Sequence, residues 1–168
     1  MQKSVSIFRS AVLVLLSTLL ITGCMPSPYY QQTNAIPGNA WQNTYIPTYK
    51  FEITDTSASY KMSFLIRHTN AYPFSNIWII VSIKQPGDSS FHKVRMEIPL
   101  AEQSGKWLGR GMGEICEQLM PIDYQMNAGG INNFLKKKGK YEMKIEQNMR
   151  LNPLPEVLQT GIRVERDK

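Results

Sequence analysis

From Lys50 to the C-terminus, apolar side chains recur at every second position, a pattern that buries one face of a β-strand and that no helix can bury. Phe51 and Ile53 alternate with Lys50 and Glu52, and Tyr60, Met62, Phe64 and Ile66 alternate with Lys61, Ser63 and Arg67. Val94, Met96, Ile98 and Leu100 do the same with Lys93, Arg95 and Glu97. Tyr141, Met143 and Ile145 alternate with Glu142, Lys144 and Glu146, and Ile162 and Val164 with Arg163 and Glu165. Ile77 to Ile83 is nearly all apolar, as expected of a strand at a sheet centre or covered on both faces. Turn-forming stretches separate these runs: Asp55-Thr56-Ser57, Asn70-Ala71-Tyr72-Pro73, Gln85-Pro86-Gly87-Asp88, Gly129-Gly130 and Lys138-Gly139-Lys140. No segment sustains a helical apolar stripe over three turns; Ile131, Phe134 and Leu135 make at most one. The expectation is an all-β chain folded as a single antiparallel β-sandwich of about seven or eight strands.

The first 23 residues follow different rules. Lys3 and Arg9 precede an apolar run from Ala11 to Leu16, then Ser17-Thr18 and a second run from Leu19 to Ile21. This core of about 11 residues is too short for a hydrocarbon layer that needs about 20, so it reads as a secretory signal. Ile21-Thr22-Gly23-Cys24 then resembles a bacterial lipobox, in which the cysteine is diacylated and becomes the mature N-terminus. The chain divides accordingly into a lipoprotein signal peptide (1–23), a lipidated tether (24–47) and the sandwich (48–168). Met25 stands where an Asp retains lipoproteins in the inner membrane, and no acidic run follows Cys24. Outer-membrane lipid is therefore the expected partner of the acylated cysteine, with the domain on the periplasmic face. The stretch from Pro26 to Pro47 is rich in Pro, Gln, Asn and Thr and suits an extended spacer. Tyr29, Tyr30 and Trp41 fit that picture poorly: they lie at the headgroups or dock on the domain, Trp41 first among them.

Charge and chemistry narrow the function further. Lys and Arg number 19 against 13 Asp and Glu, and loss of Lys3 and Arg9 with the signal leaves 17 against 13. Much of that excess is Lys136, Lys137, Lys138 and Lys140, a solvated loop or a contact for lipid headgroups or an acidic partner. Nucleic acid is not an expected partner, because basic and aromatic residues do not interleave. His68 and His92 sit near strand ends and read as surface or turn residues. Gly109, Gly111 and Gly113 lack the Lys-Ser/Thr of a phosphate loop and read as a turn or bulged strand. Cys116 has no partner once Cys24 is acylated, so it reads as a small core residue. Glu114 and Glu117 fall on opposite faces of a strand and make no acid/base pair. The chain carries no G-x-S-x-G, Walker A or H-E-x-x-H sequence, so no catalytic residue, cofactor or metal site is expected. Trp107, beside the glycine-rich turn, is a core anchor or an exposed contact for a partner. A carbohydrate- or peptidoglycan-binding sandwich is the alternative reading, and it requires Trp41, Trp78 or Trp107 to present an open ring face.

Three stretches carry a family resemblance: Ser104 to Gly111, Gly139 to Arg150, and Leu154-Pro155 through Thr160 to Val164. With Phe51 to Asp55, Tyr60, Arg67, Asn70, Tyr72-Pro73, Asn76 and Pro86-Gly87, their order and spacing resemble the GldH gliding-motility lipoproteins of Bacteroidetes. That resemblance implies a non-catalytic outer-membrane lipoprotein associated with gliding motility and the secretion apparatus linked to it. It implies other envelope proteins of that machinery as partners and no catalytic residues to carry over. The chain departs from the pattern at Pro153-Leu154-Pro155-Glu156-Val157, where the family more often has a Leu-Pro-Gly-Ile-like turn, and Cys116 lies outside the pattern.

Overall fold

A computed structural model describes residues 28–122 and 135–167. The alternating runs form β3 (Thr48–Ile53), β4 (Ser59–Thr69), β5 (Asn76–Lys84), β6 (His92–Pro99), β9 (Gly139–Gln147) and β11 (Val157–Asp167). Five further strands join them: β1 (Tyr30–Ala35), β2 (Ala40–Trp41), β7 (Arg110–Met112), β8 (Ile115–Pro121) and β10 (Leu154–Pro155). The described residues thus hold eleven strands, of which β2, β7 and β10 are three residues or shorter.

One sheet runs β1-β11-β4-β8-β7 and the other β3-β9-β5-β6, with every pairing antiparallel and a short β2–β10 ladder closing one end. Opposite residues in an antiparallel ladder share a face, so register decides what enters the core. Met62, Phe64 and Ile66 lie opposite Val164, Ile162 and Thr160, and all are buried. From the second sheet, Ile79, Val81 and Ile83 lie opposite Gln147, Ile145 and Met143 and fill the facing layer. The hydroxyls of Tyr49 and Thr160 meet at 3.2 Å between the sheets, which satisfies two polar groups deep in the core. β5 sits between β9 and β6, the central place its apolar run predicts. Its outward Trp78 and Ile80 are half-buried rather than fully covered.

The segment assigned to a spacer is corrected from Tyr30 onward. Tyr30–Ala35 pairs along its whole length with β11, from Tyr30 opposite Val164 to Ala35 opposite Gln159. Ile36 then donates its N–H to the Leu158 carbonyl (2.9 Å), and Trp41 is completely buried. Its indole N–H donates to the Tyr45 carbonyl at 2.9 Å. Residues 29–47 are therefore part of the folded domain, and of the two readings for these aromatics docking is the one observed. The physical reason is that an edge strand needs only backbone pairing and a few anchors, so a polar sequence suffices. Gly109 to Gly113, read as a turn or bulge, leads into the β7–β8 hairpin, with Gly113 at φ 67° in its turn. Ile131, Phe134 and the Gly129-Gly130 turn lie outside the described residues, as does Cys24.

Strand directions give the sandwich two distinct ends. The base carries the start of β1, the 53–59 turn, the β5–β6 turn, the start of β9 and the end of β11. The tip carries the β4–β5 turn, the 100–108 loop and the 148–153 loop.

Candidate functional site

The lysine cluster belongs to the base and is held there by an aromatic stack. Tyr30 packs on Phe51 and Phe51 on Tyr141, with 5.3 Å between ring centroids at each step. The Tyr141 hydroxyl donates to the Lys137 carbonyl (2.8 Å) and accepts the Lys137 N–H (3.1 Å). Burial raises the pKa of this phenol, so it remains a donor. Leu135 is buried beneath the loop, whereas Lys136, Lys137, Lys138 and Lys140 are exposed. Asp88 lies 3.8 Å from Lys137 and also 3.1 Å from the exposed His92. Gly139 sits at φ 132°, and a Cβ there would stand 2.9 Å from the Pro86 ring, so the loop turns tightly against the β5–β6 turn. Between these elements is a cleft of about 630 Å³ lined by Lys50, Glu52, Lys84, Asp88, Lys140 and Glu142 among others. Its wall carries both signs of charge, which fits no single small ion.

Trp107 lies at the opposite end, so the structure does not bring it together with the lysines. It forms an isolated bridge with Ala101 and stands edge-on to His68, centroids 4.5 Å apart, with Tyr72 at 6.3 Å. It is half-buried and packed against the core. His68 corrects the surface reading given to it, because β4 continues to Thr69 and turns this position inward, fully buried. Its Nδ1 stands 2.9 Å from the Thr69 carbonyl and so carries the proton, while Nε2 has no hydrogen-bond partner among the described residues. Burial lowers its pKa and keeps the ring neutral.

Cys116 lies directly opposite His68 in register. Burial pushes its thiol pKa up, so no thiolate forms, and a Cβ on Gly109 would stand 2.5 Å from its sulfur. It is a packed core residue, as its apolar neighbours suggested. Gln118 turns inward beside it and donates to the Pro99 carbonyl at 2.8 Å, tying the two sheets together. Among the described residues no group of three or more His, Cys, Asp or Glu could hold a metal ion.

The remaining tryptophans do not offer an open platform. Trp41 is buried, and the Arg95 guanidinium covers one face of Trp78 at 3.9 Å from its centroid. Arg95 is itself fixed by a 2.6 Å hydrogen bond from Nε to Asn148, and the Trp78 N–H donates to the Met149 sulfur at 3.2 Å. Asn148 and Met149 therefore close the outer face over β5. On the outer face of the other sheet, a groove of about 570 Å³ has buried Leu65 beside Leu119, with Leu108 (45% exposed), Arg110 and Arg163 around it.

The contribution of Tyr30 and Tyr141 to the base escaped the sequence, although two adjacent tyrosines in a charge-poor segment were the available signal.

The profile of the family described as "GldH lipoprotein" matches residues 28–164, all of the folded domain but the last three residues of β11 and more than half of the chain. The gliding motility lipoprotein GldH of Flavobacterium johnsoniae is 27% identical over 165 residues, covering 94% of this chain and 96% of that protein. A gliding motility lipoprotein GldH homolog of Christiangramia forsetii is 24% identical over 164 residues, covering 94% and 95%. Among solved structures, the infectious bursal disease virus VP2 subviral particle covers 80% of this chain and 30% of its own. Its TM-score is 0.30 at 11% identity, too low a likeness to argue from.

Proposed function

The chain belongs to the GldH lipoprotein family, and from that premise we propose that it is an outer-membrane lipoprotein supporting gliding motility and the protein secretion linked to it. In this reading it is acylated at Cys24, faces the periplasm and acts through contacts with other envelope proteins of that machinery, not through catalysis. The observation that carries the reading is the family match across nearly the entire sandwich, joined to a lipobox that ends six residues before β1. The protonated Cys116 thiol and the neutral, carboxylate-free His68 support a structural role for the groups that could otherwise serve as nucleophile and base. The glycan-binding alternative depends on an open tryptophan face, and the burial of Trp41 and the Arg95 guanidinium over Trp78 speak for the first reading.

Replacing Cys24 with Ala in the full-length protein tests the anchor. The variant is expected to leave the membrane fraction and to fail to restore colony spreading to a strain lacking the protein. A variant that still fractionates with the outer membrane and restores spreading sinks the proposal.

A further inference from the structure

Cys24 precedes Tyr30 by six residues, and six residues span at most about 20 Å when fully extended. β4 alone, with 11 residues, is about 35 Å long, so the domain outreaches its own tether. β1 enters the sandwich at the base, and Tyr30 is two ring contacts from Tyr141, whose hydroxyl pins the lysine loop. A membrane that holds Cys24 is therefore near the base.

Charge is distributed to match. At the base, Lys61 pairs with Asp167 at 2.7 Å and Arg166 with Asp55 at 3.4 Å, so these four largely cancel. That leaves Lys50, Lys84, Lys136, Lys137, Lys138 and Lys140 against Asp88, Glu52 and Glu142, with Glu52 opposite Lys140 and Glu142 opposite Lys84 in register. Lys136 and Lys138 have no carboxylate within ion-pairing distance among the described residues. The tip, in contrast, carries Glu102, Glu114 and Glu156 with Lys106 and Arg150.

We propose that the base of the sandwich docks, through Lys136, Lys137, Lys138 and Lys140, on the anionic phospholipid headgroups of the leaflet that holds the anchor. This rests on the acylation of Cys24. The consequence is an oriented domain whose tip, with Trp107 and the 100–108 loop, points away from the bilayer toward partners. Each lysine near an anionic surface strengthens such docking about fivefold.

The test uses the acylated protein reconstituted in phosphatidylethanolamine vesicles with and without phosphatidylglycerol. A fluorophore is placed at Lys138→Cys or at Lys106→Cys, and quenching by headgroup spin-labelled lipid is measured. Strong quenching at position 138 and little at 106 is expected, with the difference lost when phosphatidylglycerol is omitted or salt is raised. A four-site variant, with Lys136, Lys137, Lys138 and Lys140 changed to Gln and read through a fluorophore at Ser57→Cys in the neighbouring turn, should lose that lipid dependence. These side chains are exposed, so its melting should match the parent's. Equal quenching at both ends, or quenching at 138 that ignores phosphatidylglycerol, overturns the proposal. So does a four-site variant that docks as before, or one that docks as before but loses a crosslink to an acidic protein, which assigns the lysines to that protein. Because the sample is already acylated, a refutation here leaves the anchor reading intact, and only the Cys24→Ala fractionation can remove that.

Discussion

Trp41→Ala separates a folded N-terminal segment from a spacer more sharply than any other single change. Trp41 is 0% exposed, in contact with the core through the β2–β10 ladder, where it lies opposite Leu154. A buried aromatic of this size removes about 200 Å² from water. At about 25 cal/mol per Å² that area is worth about 5 kcal/mol, of which the remaining Ala methyl keeps about 1, so truncation to Ala forfeits about 4 kcal/mol. The Tyr45 carbonyl also loses its indole donor, for about 1 kcal/mol more. A total of about 5 kcal/mol rivals the whole stability of a marginal domain, which runs from about 5 to 15 kcal/mol. Trp41→Phe keeps much of the ring and should cost less than half as much. The assay is urea denaturation of the mature chain made soluble by Cys24→Ala. At an m-value of about 2 kcal/mol per molar, the Ala variant should unfold about 2 M earlier than its parent. A cost below about 0.5 kcal/mol, the range of ordinary surface substitutions, refutes the reasoning and returns Trp41 to a spacer.

Two further outcomes follow from the tip. His68 is neutral when folded, with its pKa lowered by burial, and titrates near 6.5 when unfolded. The unfolded chain therefore binds a proton that the folded one refuses, and stability falls as pH drops below about 6.5 toward the folded pKa. His68→Gln should flatten this part of a denaturation profile measured from pH 7 to pH 5, and an unchanged slope would show that other groups set it. Glu156 holds φ at 66°, a conformation that favours glycine, and it compensates by accepting hydrogen bonds from Thr69 Oγ1 (2.5 Å) and the Thr69 N–H (3.0 Å). Glu156→Ala keeps the backbone cost and loses the side-chain bond, so it should destabilise by about 1 to 2 kcal/mol. Glu156→Gly relieves the one as it removes the other and should melt near the parent; equal losses in both variants would contradict this account.

The legible part of the fold was the part with something to bury. β4, β5, β6, β9 and β11 announce themselves because each sends a continuous file of large side chains inward. β1 does not, since as an edge strand it keeps Gln31, Gln32 and Thr33 exposed and depends on backbone pairing. β8 was hidden for a different reason: its inward file is Cys116, Gln118 and Met120, and a glutamine whose amide N–H is bonded to a carbonyl of the other sheet reads as a surface residue. β7 is too short to show a period, and Gly111 lies so close to β8 that a Cβ would stand 2.4 Å from the Ile115 carbonyl. The lysine cluster and the lipobox were each visible, but not their proximity. That comes from the sheet order, which places β1 beside β11 and lets Tyr30 reach across to Phe51 and Tyr141.

The pairing of β1 with β11 also determines how the molecule bears load. β1 runs from base to tip with its N-terminus at the base, so under the proposed anchoring at Cys24, tension against a partner at the tip would act along the strand axis. In an antiparallel ladder the hydrogen bonds lie across that axis. Such a pull shears all six residue pairs from Tyr30 to Ala35 together and does not peel them one at a time. The same strand pulled sideways would unzip from one end. An edge strand that contributes little to burial is thus placed where its few bonds resist force as a group.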